Sequence, residues 1–451
     1  MRVLHVSLGL PPLRTGGLTR YCTELMDAQD DFGYEIALLY PGRFLPGKTR
    51  IKAKKLDNLI AFEVVNPLPV PLTYGVAEPK AFMASCDDPD AYKSCIEVFS
   101  PDIIHIHSFQ GIHKEFFDIV KSRGIPMLFT THDYFAICPR CTLVNRCGES
   151  CSGPSASRCA MCCSGAGMTF AKSKIMQSRL YSRLKQSKMV RFFGSRVKHE
   201  MSVADDSIFD NAPTTEQVGV YKDYLDYNRA IFDDIDVVAS NTLMTERMYS
   251  RYLPDAFYRL IPITHSGLNS SKESKEFRRR GNLVKMAYFG GVKGYKGFAT
   301  LCKAVRILHS SGIKFELDLY GDDYPAFEDI PEVHRYGRIA HDSMRDILKA
   351  HDVVVVPSIC HETCGFVVLE ALCEHVPVVC SDAVGACELV TDEFVFKAGD
   401  ASDLAAKLEH ACLNSDSVVS IPEDYPITMA EQVALLDRVY LDSICEVNSE
   451  A

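Results

Sequence analysis

Two glutamates with seven residues between them, Glu362 and Glu370, stand in the segment VVVVPSICHETCGFVVLEALCEHVPVVCSD. Glu362 follows a buried-strand pattern, while Glu370 sits inside the apolar helical pattern GFVVLEALC. A charged carboxylate among Val, Leu and Ala costs several kcal/mol unless it is partnered. A vicinal diol such as a ribose satisfies both of its oxygens; the bland reading is a salt bridge to a neighbouring helix. Upstream, GGVKGYKGF places Lys293 and Lys296 in a glycine-rich turn ahead of a helix. Cations beside a helix N-terminus suit a diphosphate whose charge grows as a bond to it breaks. The alternative is a pair of solvated turn lysines. His132 and Asp133 end the strand-like run PMLFTT, and Gly16-Gly17 opens a helical pattern soon after the first strand-like run. Paired glycines there let backbone N–H groups approach a phosphate or hydroxyl, although G-x-G-x-x-G is absent.

Seven of the 18 cysteines fall between Cys138 and Cys163. Cys138-x2-Cys141 and Cys159-x2-Cys162 fit the spacing of a four-thiolate zinc template. An iron–sulfur cluster is the runner-up, and disulfides rank last in the reducing compartment expected here. Four thiolates leave no open position for water, so the expected role is to shape a loop. From Ala171 to His199 there are nine Lys/Arg and no Asp/Glu, with Met176, Leu180 and Leu184 recurring every fourth residue beside Arg179 and Arg183. Such a segment can lie on an anionic membrane or hold a lipid pyrophosphate; a solvated basic helix is the plain alternative.

These residues need elements to hold them. Strand-like runs at 2–8, 34–40, 102–107, 126–131 and 236–240 alternate with helical patterns, and a second set follows at 284–290, 315–321, 352–358 and 376–382. Runs this apolar are what parallel strands covered on both faces look like, so the class is α/β with doubly wound sheets. The polar stretch 266–282 reads as a linker between two Rossmann-like domains, 1–265 and 283–425, with a helical segment over 426–451. Ligands of such sheets bind beyond the carboxyl ends of their strands, where the motifs fall.

With 451 residues, 47% apolar, 24% charged and a formal charge of −10, the chain is an ordinary globular one of two or three domains. Its charge argues against nucleic acid as a partner. No apolar run reaches membrane-spanning length, and MRVLHVSLGLPP reads as a first buried strand, not a signal peptide. A cytoplasmic location is expected, with peripheral attachment to the inner membrane face through the basic segment.

The glutamate pair, its flanking P-S and G-F, and the following P-V-V-x-S-D-x-x-G resemble the retaining glycosyltransferases of family 4; GG and T-H-D match more loosely in the N-terminal half. The resemblance implies the GT-B fold, two Rossmann-like domains facing across a cleft. It implies transfer of a sugar from a nucleotide sugar to a polysaccharide or lipid-linked glycan, with no cofactor required for catalysis. By the same resemblance Glu370 binds the ribose, and Glu362 faces the donor sugar. Lys296 and the backbone of Gly365 and Phe366 hold the diphosphate. His132 contacts the sugar near the reacting carbon, and Gly16-Gly17 borders phosphate and acceptor. Where the family often has an Arg five residues before the clamp lysine, this chain has Gly291, with Lys293 as the substitute cation. For the metal, relatives of this subgroup resemble the chain at C-P-R, C-x-G-P and C-x-x-C, which selects Cys138, Cys151, Cys159 and Cys162, with Cys141 as the substitute. The competing readings are a nucleotide-sugar epimerase or phosphorylase of the same fold, and a metal-stabilised binding scaffold without turnover.

Overall fold

The computed structural model describes all residues except 12–13, 57, 179–180, 182–211, 269–274, 279–282, 293, 322–323, 325–326, 328, 341–342, 414–415, 420, 423 and 451. Its first sheet has eight strands: β1 (Arg2–Val6), β2 (Glu35–Pro41), β3 (Arg50–Leu56), β4 (Leu59–Val65), β5 (Ile103–Ile106), β6 (Met127–Thr130), β7 (Val237–Ser240) and β8 (Tyr258–Leu260). They are ordered β3-β4-β2-β1-β5-β6-β7-β8, parallel except for the β3–β4 pair. A small antiparallel pair joins β9 (Lys275–Arg278), inside the expected linker, to the last strand of the chain at Asp416–Val419.

The second sheet holds β10 (Val284–Gly290), β11 (Phe315–Gly321), β12 (Val333–Gly337), β13 (Val353–Val356), β14 (Val378–Ser381) and β15 (Val395–Phe396), all parallel in the order β12-β11-β10-β13-β14-β15. All nine runs read from the sequence are strands. The hairpin β3–β4 escaped that reading because RIKAKKL is largely exposed and basic, the protection an edge strand needs.

In each sheet the chain builds outward from one strand, then returns to that strand's other side. The reversal lies between β1 and β5 in the first sheet and between β10 and β13 in the second. These are the switch points where open parallel sheets leave a crevice. Gly16-Gly17 follows β1, Lys296 follows β10 and Glu362 follows β13.

Five helices position the site: α1 (Gly17–Asp31), α2 (Ala156–Cys163), α3 (Phe298–Ser310), α4 (Phe366–Cys373) and α5 (Met429–Glu450). One apolar cluster joins the two domains, packing Tyr21 and Leu25 of α1 with Val368 and Leu369 of α4 and with Leu436 and Tyr440 of α5. The final helix therefore returns to the first sheet. There Tyr34 donates its hydroxyl to Asp437, and Arg259 donates to Asp442 at 2.8 Å.

Candidate active site

Two glycines bring the C-terminal groups together. Gly297, at φ 73°, caps α3, and a Cβ there would lie 1.5 Å from the Pro357 carbonyl oxygen. Only glycine permits that approach, and it presses the Lys296 turn against the end of β13. Gly365, at φ 101°, caps α4 where a Cβ would meet Val384 at 2.5 Å. The turn between these points folds Glu362 back toward the lysine. Lys296 Nζ donates to Glu362 Oε1 at 2.9 Å, and the Ser358 hydroxyl donates to the same oxygen. Burial opposes ionisation of both partners, yet each charge favours the other: Glu362 is held below the usual carboxylate range and Lys296 above the usual ammonium range.

One helical turn on, Glu370 Oε1 stands 3.2 Å from His265 Nε2, both side chains almost fully buried. The backbone N–H of Gly267 donates to His265 Nδ1 at 3.0 Å, which leaves the ring proton on Nε2, toward the carboxylate. The His265 ring meets Phe366 edge-on at 4.9 Å. From the opposite domain, the position of a Gly17 Cβ lies 3.4 Å from the Phe366 ring. Gly17 and Phe366 thus face each other across the cleft.

His132 follows β6 and is partly exposed, and Thr363 donates its hydroxyl to the His132 carbonyl at 3.2 Å. Thr242 and Thr245 in turn donate to the Thr363 carbonyl at 3.2 and 3.0 Å. Burial lowers the His132 imidazole to about 3, so it is neutral at physiological pH. Burial raises Asp133 to about 6, against the Phe135 N–H at 2.8 Å and the Gln110 amide at 3.1 Å that favour its charge.

In the cysteine window, Cys138, Cys151, Cys159 and Cys162 line one cavity of about 290 Å³ with Cys163, Arg140, Arg146 and Arg158. Cys141, paired with Cys138 by the spacing template, turns away and donates to the Leu72 carbonyl at 2.9 Å. Cys162 is drawn down to about 7 by the neighbouring Cys163 thiol and, against burial, by Arg140, while burial pushes Cys138 up to about 11. The thiols share a cavity without converging on a point. Among the described residues, the one group of three or more ligating side chains within 4.8 Å of one another is His5, His105 and His107. The loop reaches the turn that carries Glu362 through Ser150 Oγ, 3.2 Å from His361 Nε2, one residue before that glutamate.

Lys293 lies outside the described residues, as does most of the basic segment after Gln177. Gly291 accepts a hydrogen bond from the Tyr288 hydroxyl at 2.9 Å through its carbonyl. Among the described residues no helix is long and apolar enough to cross a membrane. Sequence reading missed Ser358, Thr363 and His265 as members of the site. Ser358 and Thr363 lie within the quoted glutamate segment, but the only sign for His265 was a histidine within PITHSG.

Residues 284–414 match the family described as Glycosyl transferases group 1. No curated protein matches the chain in sequence. Among solved structures it is similar to an alpha,alpha-trehalose 6-phosphate synthase from Burkholderia multivorans, with TM-score 0.53 and 12% identity over 100% of this chain and 99% of that one. A glycosyltransferase from Rickettsia africae ESF-5 gives TM-score 0.52 at 10% identity over 98% of each chain. An alpha,alpha-trehalose-phosphate synthase (UDP-forming) from Burkholderia xenovorans, in complex with glucose-6-phosphate, gives 0.50 at 11% identity over 99% and 97%. At such identities the likeness speaks for the fold, two Rossmann-like domains facing across a cleft. The second domain is thus similar over residues 284–414 to Glycosyl transferases group 1, and the whole chain shares the two-domain GT-B fold of these structures.

Proposed function

We propose that the protein moves a sugar, with retention, from a nucleotide-sugar donor to a polysaccharide or lipid-linked glycan acceptor. The observation that carries this reading is the Lys296–Glu362 ion pair at the mouth of the second sheet, beside a helix N-terminus and one turn from a buried glutamate. On this reading residues 1–265 form the acceptor domain and 283–425 the nucleotide-sugar domain. Glu370, beside His265, accepts from the ribose hydroxyls. Lys296 exchanges Glu362 for the diphosphate, with Lys293 supporting it, and the N–H groups at Gly365 and Phe366 face the same oxygens. Glu362, released from the lysine, faces the donor sugar. His132 borders the reacting carbon, and Gly16-Gly17 lines the path of the acceptor.

The departing diphosphate stays on the face from which the acceptor hydroxyl attacks and takes that hydroxyl's proton, so configuration is kept without a protein nucleophile. No cofactor is needed for this step. The thiols of Cys138, Cys151, Cys159 and Cys162 supply the donor set of a thiophilic metal, zinc first and an iron–sulfur cluster second. Such a group would order the loop that touches His361. The basic segment 171–199 would bring the protein to an anionic membrane surface or a lipid pyrophosphate.

The test is a panel of nucleotide sugars, UDP-sugars first because the Burkholderia xenovorans neighbour is described as UDP-forming. Donor hydrolysis or transfer supports the reading. Sugar interconversion would replace it with an epimerase, and binding without turnover with a scaffold.

A further inference from the structure

Behind His132 the first domain carries an unbroken line of buried polar side chains. His5 on β1 and His105 on β5 are cross-strand partners, and His107 lies just past β5; none of the three has any exposed surface. Gln29 of α1 and Tyr440 of α5 cover them, likewise at zero exposure. His132 Nε2 lies 3.2 Å from His107 Nδ1, His107 Nε2 lies 2.9 Å from His5 Nδ1, and His5 Nε2 lies 2.7 Å from Gln29 Oε1. Gln29 Nε2 donates to the Tyr440 hydroxyl at 3.1 Å. That hydroxyl lies 2.6 Å from His105 Nδ1, and His105 Nε2 lies 2.7 Å from Thr130 Oγ1. Every ring nitrogen of His5, His105 and His107 is therefore taken, which argues against this trio as a metal site despite its close spacing.

A neutral imidazole has one donor and one acceptor nitrogen. Burial keeps all four rings neutral, lowering His5 to about 4 and His132 to about 3, with His105 and His107 well below their ordinary value. The bonds must then run in one direction. The carbonyl oxygen of Gln29 can only accept, so His5 carries its proton on Nε2 and offers Nδ1 as a lone pair. His107 donates to it from Nε2 and leaves Nδ1 to accept, and His132 donates from Nε2 in turn. At the other end, the Gln29 amide donates to Tyr440, Tyr440 to His105, and His105 to Thr130. The reverse order requires Gln29 turned over, with its oxygen toward Tyr440.

We infer that Gln29, His5 and His107 are positioning residues that lock His132 as its Nε2–H tautomer, so that Nδ1 presents a lone pair to a sugar hydroxyl in the cleft. The line passes through Tyr440 of the final helix, so docking of α5 bears on the hydrogen-bonding character of a residue at the cleft. This inference rests on the proposed role of His132 at the sugar. The tautomer itself is read without substrate.

The experiment is nitrogen NMR on ligand-free, full-length protein labelled in histidine, with turnover measured in parallel. His5, His107 and His132 should each show the proton on Nε2 at pH 7. A proton on Nδ1 of His132 in the wild-type protein would overturn the inference, and this readout needs no variant to fold. His107→Leu should leave His132 in mixed tautomers and lower kcat about tenfold, the worth of one neutral hydrogen bond, with the nucleotide KM little changed. His107→Gln can accept from His132 and donate to His5, so it should restore both the single tautomer and most of kcat. Equal kcat in His107→Leu, His107→Gln and wild type would sink the proposed effect on turnover. No turnover together with the expected tautomers would support the wiring and overturn the function on which it bears.

Discussion

The ammonium of Lys296 is bonded to the carboxylate of Glu362 across 2.9 Å, and the two groups come from turns 66 residues apart in sequence. On the proposed roles, the cation that would hold the diphosphate is neutralised by the glutamate that would face the sugar until a donor arrives. Lys296→Ala should reduce transfer by about 10²–10³-fold, comparable to losing one preorganised donor at a developing charge. Glu362→Gln should lower turnover while tightening the bare nucleoside diphosphate, because it removes the competing anion. Calorimetric titration against turnover checks this. Weaker diphosphate binding in Glu362→Gln would exclude the exchange.

Glu370 should fail differently. On the proposed role its carboxylate, nearly buried beside His265, accepts from the ribose hydroxyls. Glu370→Ala should weaken nucleotide binding by about 1–3 kcal/mol, the range for a hydrogen bond to a charged group, and affect kcat less. Equal and small effects at Glu362 and Glu370 on transfer would remove both assignments.

The buried imidazoles make the fold sensitive to acid. Above their ordinary pKa of 6.5, His5, His105, His107, His113 and His132 are neutral in both folded and unfolded chains. Between there and about 4 the unfolded chain binds protons that the folded one refuses, so stability falls as pH falls. A single imidazole lowered from 6.5 to about 4 accounts for about 3 kcal/mol. Asp133 opposes this, since burial raises it to about 6 and the folded chain takes up its proton first. Five imidazoles outweigh one carboxyl. Urea midpoints should drop steeply from pH 7 to pH 5, and equal midpoints would refute the argument.

The legible part of the molecule was the part whose pattern follows from burial. Runs such as VVVV at β13 and VKMAYFG at β10 have no choice but the middle of a parallel sheet, and the motif loops then fall at their carboxyl ends. Lys296 and Glu362 could be named from the sequence, but their pairing could not, because Gly297 creates it by a backbone approach to Pro357. The histidine line was invisible for a related reason. His5, His105 and His107 sit in or just past apolar strands where a lone histidine reads as a tolerated core residue, and their partners Gln29 and Tyr440 are 411 residues apart. The choice among the cysteines was also beyond spacing alone. Only the fold turns Cys141 toward Leu72 and leaves Cys151 on the cavity.

If the cavity holds a structural metal, Cys138→Ser, Cys151→Ser, Cys159→Ser and Cys162→Ser should each lower the metal content, and Cys141→Ser should not. Elemental analysis of freshly purified, untagged protein should find about one zinc per chain, or iron in the alternative. Binding in isolated zinc modules contributes about 10–16 kcal/mol to folding. Here the sheets carry their own cores, so stripping the metal should disturb only the loop from Cys138 to Cys163. Brief EDTA should leave activity intact. Prolonged exchange with a strong chelator and a thiol reagent should make that loop protease-sensitive. It should also impair acceptor use more than nucleotide binding, because the loop meets the turn that carries Glu362 through Ser150 and His361. Absence of both zinc and iron from active protein would reduce the cluster to free thiols, among which Cys162, drawn down to about 7, carries a substantial thiolate fraction at neutral pH.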